Sequence, residues 1–207
     1  IFSEGAYYSA ELRRAKDEDR ITKVRYDRAK GVVTSWDLGI GDSTSIVFAQ
    51  FIGAEIHIID YYEGSGVGLE HYVKVLQDKG YVYDQHVLPH DVRVRELGTG
   101  KSRMEMLEDL GINNIEIAPS LLIDDGIQQV RTMLDKCYFD EVSCEKLIDS
   151  LQAYSREWDD NGKTWRMRPR HDWSSHGADA TRYLAIGYKP FNENWDKPLR
   201  RNLQGVV

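Results

Sequence analysis

The chain has 207 residues, a formal net charge of −7 and a hydrophobic content of 41%, which is enough apolar material for one core of ordinary size. The acidic balance, with a pI near 5.4, excludes attraction of nucleic acid by the whole surface, so any such contact must come from local basic patches. No apolar run approaches the roughly 20 residues of a membrane span.

Residues 1–30 combine a helix-like stretch with a polar strand and begin without a Met or a signal sequence, as a fragment of a longer chain would. They are expected to be a linker or N-terminal extension that leads into a domain proper over 31–188. Residues 32–38, VVTSWDL, are β-branched and aromatic and run straight into Gly39, Gly41 and small polar residues, which predicts a strand with Asp37 at its end. STSIVFAQFI (43–52) returns as a second strand, Gly53 and Ala54 turn the chain, and EIHIIDYYE (55–63) reads as a third. Two tight connections make this an antiparallel meander.

The apolar period then changes. Leu69, Tyr72, Val73 and Leu76 fall at helical spacing before a stop at Gly80, and HVLP (86–89) is a short apolar strand leading to Asp91. SRMEMLEDLG reads as a helix, IEIAP as a fifth strand, and IDDGIQQVRTMLDKCYF and CEKLIDSLQAYSREW as two longer helices. Such alternation implies parallel strands joined by crossover helices. Between the last of these and HGADATRYL lies NGKTWRMRPRH (161–171), whose Asn-Gly turn predicts a small hairpin or extended flap, with Trp165 packed rather than stacking on a ligand. Residues 189–207 lose periodicity and read as a tail. Cys137 and Cys144, with no other cysteine, are expected to be buried reduced thiols rather than a disulfide or zinc site.

Three antiparallel strands, a helix, a strand, a helix, a strand and then helices, with Asp37 ending the first strand, Asp91 following the fourth and Asp179 on a late helix, resemble the ribonuclease H-like fold. Within it, WDLGIGDST, PHD followed by the glycine-bearing basic loop RVRELGTGKSR, and HGADATRYL resemble the nuclease domain of the large terminase subunit of tailed bacteriophages. The resemblance spans about residues 31–188, and HGADATRYL is its most specific part. It implies an α/β fold with a central mixed sheet of five or more strands flanked by helices, and a metal-dependent endonuclease that cuts double-stranded DNA during viral genome packaging. It further implies an ATPase domain upstream in the same polypeptide, a portal protein and a small terminase subunit as partners, no membrane, and the cytoplasm of the infected host as location.

The chemistry explains the choice of residues. In-line hydrolysis of a phosphodiester is served by two divalent ions roughly 3.5 to 4 Å apart, and Mg²⁺ or Mn²⁺ needs only a few carboxylates plus phosphate oxygens. Asp37 is assigned to bridge both ions, Asp91 to hold one, and Asp179, placed in the first turn of a helix beginning near Ser175, to hold the other. His176, three residues before Asp179, shares its face and could orient a metal-bound water or bind phosphate; a capping or packing role competes with this. Asp42, Asp60 and Glu63 are further acids near the same strand ends, and Asp60 is the substitute for Asp91. Taken singly, each acid also has a plainer role as a turn, loop or helix-end residue.

Arg93, Arg95, Lys101 and Arg103 beside Asp91, and Lys163, Arg166, Arg168 and Arg170 before Asp179, form two basic stretches suited to DNA phosphates, or else to ordinary solvated loops. GTGKS (98–102) is not a nucleotide-binding P-loop, because GxxxxGK[ST] would need glycine where Arg95 stands. DLGIGDST also resembles the phosphate loop of actin-like and sugar kinase ATPases, but the second glycine-rich half such proteins need is missing. The remaining alternatives are another ribonuclease H-like nuclease, such as a Holliday-junction resolvase, and a non-catalytic DNA-docking domain of a packaging motor.

Overall fold

The computed structural model describes residues 5–39, 43–96 and 98–189. Its centre is a seven-stranded sheet in the order β1-β7-β4-β3-β2-β5-β6. The strands are β1 (Ile21–Thr22), β2 (Val32–Asp37), β3 (Ser43–Ile52), β4 (Glu55–Ser65), β5 (Tyr83–Leu88), β6 (Ile115–Ile117) and β7 (Cys137–Asp140). β3 runs antiparallel to both neighbours, and every other pairing is parallel. The expected meander is thus the middle of the sheet, with parallel strands added on both sides.

Side chains alternate across the pleat, and each face buries its own core. On one face Val33, Val47, Ile58 and Val87 meet the helices α1 (Ser9–Asp17), α4 (Ile123–Leu134), α5 (Glu145–Ala153) and α6 (Trp173–Gly187) through Leu12, Val130, Leu134, Leu147, Leu151 and Leu184. On the other, Val32, Trp36, Ile46 and Phe48 meet α2 (Leu69–Lys79) and α3 (Arg103–Asp109) through Tyr72, Val73, Leu76 and Leu107. Helix α2 stops where predicted, at Gly80, whose φ of 64° places it in the left-handed region that suits glycine as a helix C-cap. A hairpin of β8 (Arg156–Asp159) and β9 (Thr164–Pro169) precedes α6, as the Asn-Gly turn predicts. Trp165 packs edge-to-face on Trp158, ring centroids 4.9 Å apart.

Three expectations are corrected. Residues 1–30 are more than a linker: Tyr8 and Leu12 are fully buried in the first core, and β1 extends the sheet beside β7. The segment IDDGIQQVRTMLDKCYF is not one helix, because α4 ends at Leu134 and CYFD leaves it as β7. No glycine or proline separates the two, so local pattern carried no break. Asp179 lies in the second turn of α6, not the first, because the helix begins at Trp173, where Asp172 caps it by accepting from the Ser174 amide at 2.9 Å. Both cysteines are buried and free, as expected.

Candidate active site

Asp37 is the last residue of β2, and the alternation that buries Val33 and Ser35 toward α6 points Asp37 the same way. Helix α6 lies close against that face because its buried residues are small: Ser174, Ser175, Gly177, Ala178, Ala180 and Thr181. The Ser35 hydroxyl donates to the Ala180 carbonyl at 2.7 Å. A Cβ on Gly177 would fall 2.7 Å from Ser150 Oγ and 3.1 Å from the Tyr61 hydroxyl. This close approach brings Asp179 near enough for its charge to act on Asp37, and brings His176 to the Asp37 carboxylate.

His176 Nδ1 lies 3.3 Å from Asp37 Oδ2, and the Asp37 side chain is only 18% exposed. Burial raises the pKa of its carboxyl, the His176 hydrogen bond opposes that shift, and the charge of Asp179 adds to it. The Tyr183 hydroxyl feels both carboxylates, and burial with their added charge pushes its pKa up to about 12. Asp179 itself is held by Arg182, which donates to its Oδ1 from Nη2 at 2.9 Å and Nε at 3.3 Å.

Across the sheet, Asp37 pairs with Ser45, and Ser45 with Glu63. The Tyr61 hydroxyl lies 2.9 Å from Ser45 Oγ and donates to Glu63 Oε2 at 2.8 Å, while Lys146 Nζ sits 3.1 Å from the other Glu63 oxygen. A third acid therefore stands in line with Asp37, already paired with a lysine.

Asp91 sits on a single 3₁₀ turn, His90–Arg93, directly after β5. The parallel register Ser35 with Val87 puts the ends of β2 and β5 side by side, so Asp91 shares the sheet edge with Asp37, but it is exposed to solvent. Among the described residues no group of three acids, histidines or cysteines is arranged to hold a metal ion. Of the three acids of the expected cage, Asp37 and Asp179 are half-buried and close enough for the charge of one to act on the other, and Asp91 lies apart on a short turn. Oxygen donors of this kind fit a hard divalent cation, which takes one or two carboxylates. The buried Asp37 carries an electrostatic penalty that a cation would relieve.

Asp60 is corrected as a substitute. It projects to the opposite face of the sheet, where Lys79 Nζ at 2.5 Å and the Tyr81 hydroxyl at 3.1 Å engage its Oδ2, so it serves as a buried structural ion pair. Asp42 lies outside the described residues.

The basic stretches are less bare than their sequence windows. Arg95 faces Glu105 at 3.7 Å and Lys101 reaches Asp109 at 2.5 Å, while Arg93 is exposed on the 3₁₀ turn. Arg103 is only 11% exposed, lies 3.4 Å from Glu96, and donates to the Leu38 carbonyl at 2.9 Å. It braces Leu38, the residue directly after Asp37. On the hairpin, Arg166 contacts Glu157 and Asp159, Arg168 contacts Glu157, and Arg170 contacts Asp172. Lys163 occupies the turn with φ 48°. Sequence reasoning missed Arg182, although its spacing of three from Asp179 on one helix was a visible signal.

No protein-family model matches this sequence, and no curated protein matches it. Solved structures do. The P22 large terminase nuclease domain is similar over 90% of this chain and 93% of its own, at 15% identity and a TM-score of 0.64. The large terminase nuclease domain of bacteriophage SPP1, solved with bound Mn, is similar over 77% of this chain and 85% of its own, at 20% identity and a TM-score of 0.55. A large terminase from a thermophilic bacteriophage, in complex with ATP-gamma-S, matches 90% of this chain at 17% identity and a TM-score of 0.66, but this chain spans only 46% of it. At these identities the likeness speaks for architecture alone: the chain shares the mixed α/β fold of the nuclease domains of phage large terminases.

Proposed function

We propose that this chain is the nuclease domain of a large terminase and cuts double-stranded DNA endonucleolytically during viral genome packaging, using two divalent cations, Mg²⁺ or Mn²⁺. The observation that carries this reading is the approach of Asp179, on α6, to Asp37, at the end of β2, close enough for its charge to act on that carboxyl, with His176 bonded to Asp37. Asp37 is held there with its carboxyl pKa raised by burial and by the charge of Asp179, the kind of perturbation that clusters at functional sites. Bound divalent ions would supply an activated water and neutralise the leaving oxygen. Asp37 and Asp179 would hold them, with Asp91 joining from the end of β5, and His176 fixes one oxygen of Asp37.

The solved nuclease domains of SPP1 with Mn, and of phage G20c with cobalt or magnesium, support the metal assignment. An ATPase domain upstream in the same polypeptide belongs to the proposal, in keeping with coverage of less than half of the terminase chain solved with ATP-gamma-S, and the nuclease domain takes in α1 and β1 together with 31–188. Portal protein and small terminase subunit as partners, and the cytoplasm of the infected host as location, belong to the same proposal. Arg93, Arg95, Lys101, Lys163, Arg166, Arg168 and Arg170 are the residues offered to DNA phosphates. Arg103, being mostly buried, braces Leu38 instead.

The test is cutting of supercoiled plasmid by the purified chain with Mn²⁺, with Mg²⁺ and with excess chelator. Cutting that needs the metal and does not prefer branched over linear duplex supports the reading. Metal-independent cutting, or none with either ion, overturns it.

A further inference from the structure

The Asp179 carboxylate is gripped by Arg182. Both bonds from Arg182, Nη2 at 2.9 Å and Nε at 3.3 Å, end on the same oxygen, Oδ1. His176 treats Asp37 alike, engaging Oδ2. Each carboxylate is thus engaged through one oxygen by a cationic or polar neighbour on α6.

Arg182 is itself fixed by packing. Its side chain is 11% exposed, and its stem runs against Gly126 of α4, where a Cβ would lie 2.6 Å from Cδ and 2.9 Å from Cγ. Its guanidinium lies over the Tyr183 ring, 4.8 Å from the centroid. A planar fork held at the stem and at the head has little freedom left to lose when it orients a carboxylate. A lysine on the same stem would place a point charge there without the two-pronged geometry.

We propose that Arg182 is a positioning residue for metal binding: seated in the notch at Gly126, it clamps Oδ1 of Asp179 so that the remaining oxygen is presented to a divalent cation. This rests on the reading of Asp37 and Asp179 as metal-holding acids. Outer partners of metal-ligating groups commonly contribute about 10- to 100-fold to metal affinity, and Arg182 stands in that relation to Asp179. Gly126 is then part of the same device, since a side chain there would push the arginine stem off its seat.

The experiment is calorimetric titration of Mn²⁺ into the chain without DNA, for the parent, Arg182→Gln, Arg182→Lys, Gly126→Ala, Asp37→Asn and Asp179→Asn, each checked for folding by circular dichroism. Arg182→Gln is expected to bind Mn²⁺ about 10- to 100-fold more weakly, Arg182→Lys to recover only part of that, and Gly126→Ala to weaken binding with the charge still in place. Parental affinity in folded Arg182→Gln or Arg182→Lys, or tighter binding in either, overturns the proposal; tighter binding would make Arg182 a competitor of the metal. If Arg182→Gln does not fold, Arg182→Lys and Gly126→Ala decide the matter. If the two aspartate variants keep parental affinity, the metal reading itself fails; if they lose it while the Arg182 variants do not, only the role of Arg182 falls.

Discussion

Helix α6 can carry Asp179 to Asp37 only if it lies hard against the sheet, and Gly177→Ala tests that contact. The added Cβ meets Ser150 Oγ at 2.7 Å, the Tyr61 hydroxyl at 3.1 Å and Leu147 Cδ1 at 3.2 Å. Ser150 cannot yield without giving up its bond to the Ser174 carbonyl, 2.7 Å long, at about 1 kcal/mol. Overpacking adds about 1–3 kcal/mol. Against this, alanine gains roughly 1 kcal/mol over glycine inside a helix. The net expectation is a loss of about 1–3 kcal/mol, which lowers Tm by about 3–9 °C in a domain of this size. Thermal unfolding followed by circular dichroism reads it, and a second variant sharpens it: Ser150→Ala in the same chain removes the struck oxygen and is expected to restore part of the loss, a coupling between the two sites. An unchanged or higher Tm in Gly177→Ala would show that α6 stands farther from β4 and α5, and the meeting of Asp37 with Asp179 would lose its support.

Three further outcomes follow from the same geometry. Burial raises the Asp37 pKa, so the folded chain keeps this proton at pH values where the unfolded chain has lost it, and parental stability falls as pH rises above the ordinary carboxylate range; Asp37→Asn should unfold at no lower denaturant concentration than the parent at about pH 7, with the gap closing toward acid pH, and a less stable variant at neutral pH would contradict this. His86, 2.6 Å from the Thr34 hydroxyl, has its pKa lowered by burial from 6.5 to about 4, so its contribution is complete above about pH 6.5 and about 3 kcal/mol is lost as pH falls to about 4; folded His86→Leu should lose that part of the acid sensitivity, and equal slopes would refute it. Lys101→Ala and Arg168→Ala should each make the decline of DNA affinity with salt shallower by roughly one phosphate contact, whereas Arg103→Ala should chiefly lower Tm, because Arg103 holds the Leu38 carbonyl and Glu96; unchanged salt slopes in both exposed-residue variants would place DNA on another surface.

What could be read from sequence divides along physical lines. The β2-β3-β4 meander was legible because alternation and glycine punctuation are local, and the placement of Asp37 at a strand end and of Asp179 on a helix was legible because both follow from the same periods. β7 was not, since it follows α4 after only Asp135 and Lys136, with no glycine or proline between them, and its four residues are too few to display an alternation of their own. α1 and β1 looked like a linker because their charged residues outnumber the few, Tyr8 and Leu12, that are buried by distant parts of the chain. The hairpin seemed strongly basic because its neutralising acids, Glu157, Asp159 and Asp172, lie just outside the window that holds its arginines. Asp60 near the strand ends was indistinguishable from a ligand until a one-residue irregularity between Phe48 and Ala49 and its contact with Lys79 fixed its face.

The most direct measurement of the central claim is Mn²⁺-dependent nicking of supercoiled plasmid by the parent and by Asp37→Asn, Asp91→Asn and Asp179→Asn, with Ca²⁺ and excess chelator as controls. The account expects cutting by the parent with Mn²⁺ or Mg²⁺, little with Ca²⁺, whose longer bonds and looser geometry do not align an in-line attack, none with chelator, and loss of cutting in all three variants. Near-parental cutting by folded Asp37→Asn or Asp179→Asn would contradict it.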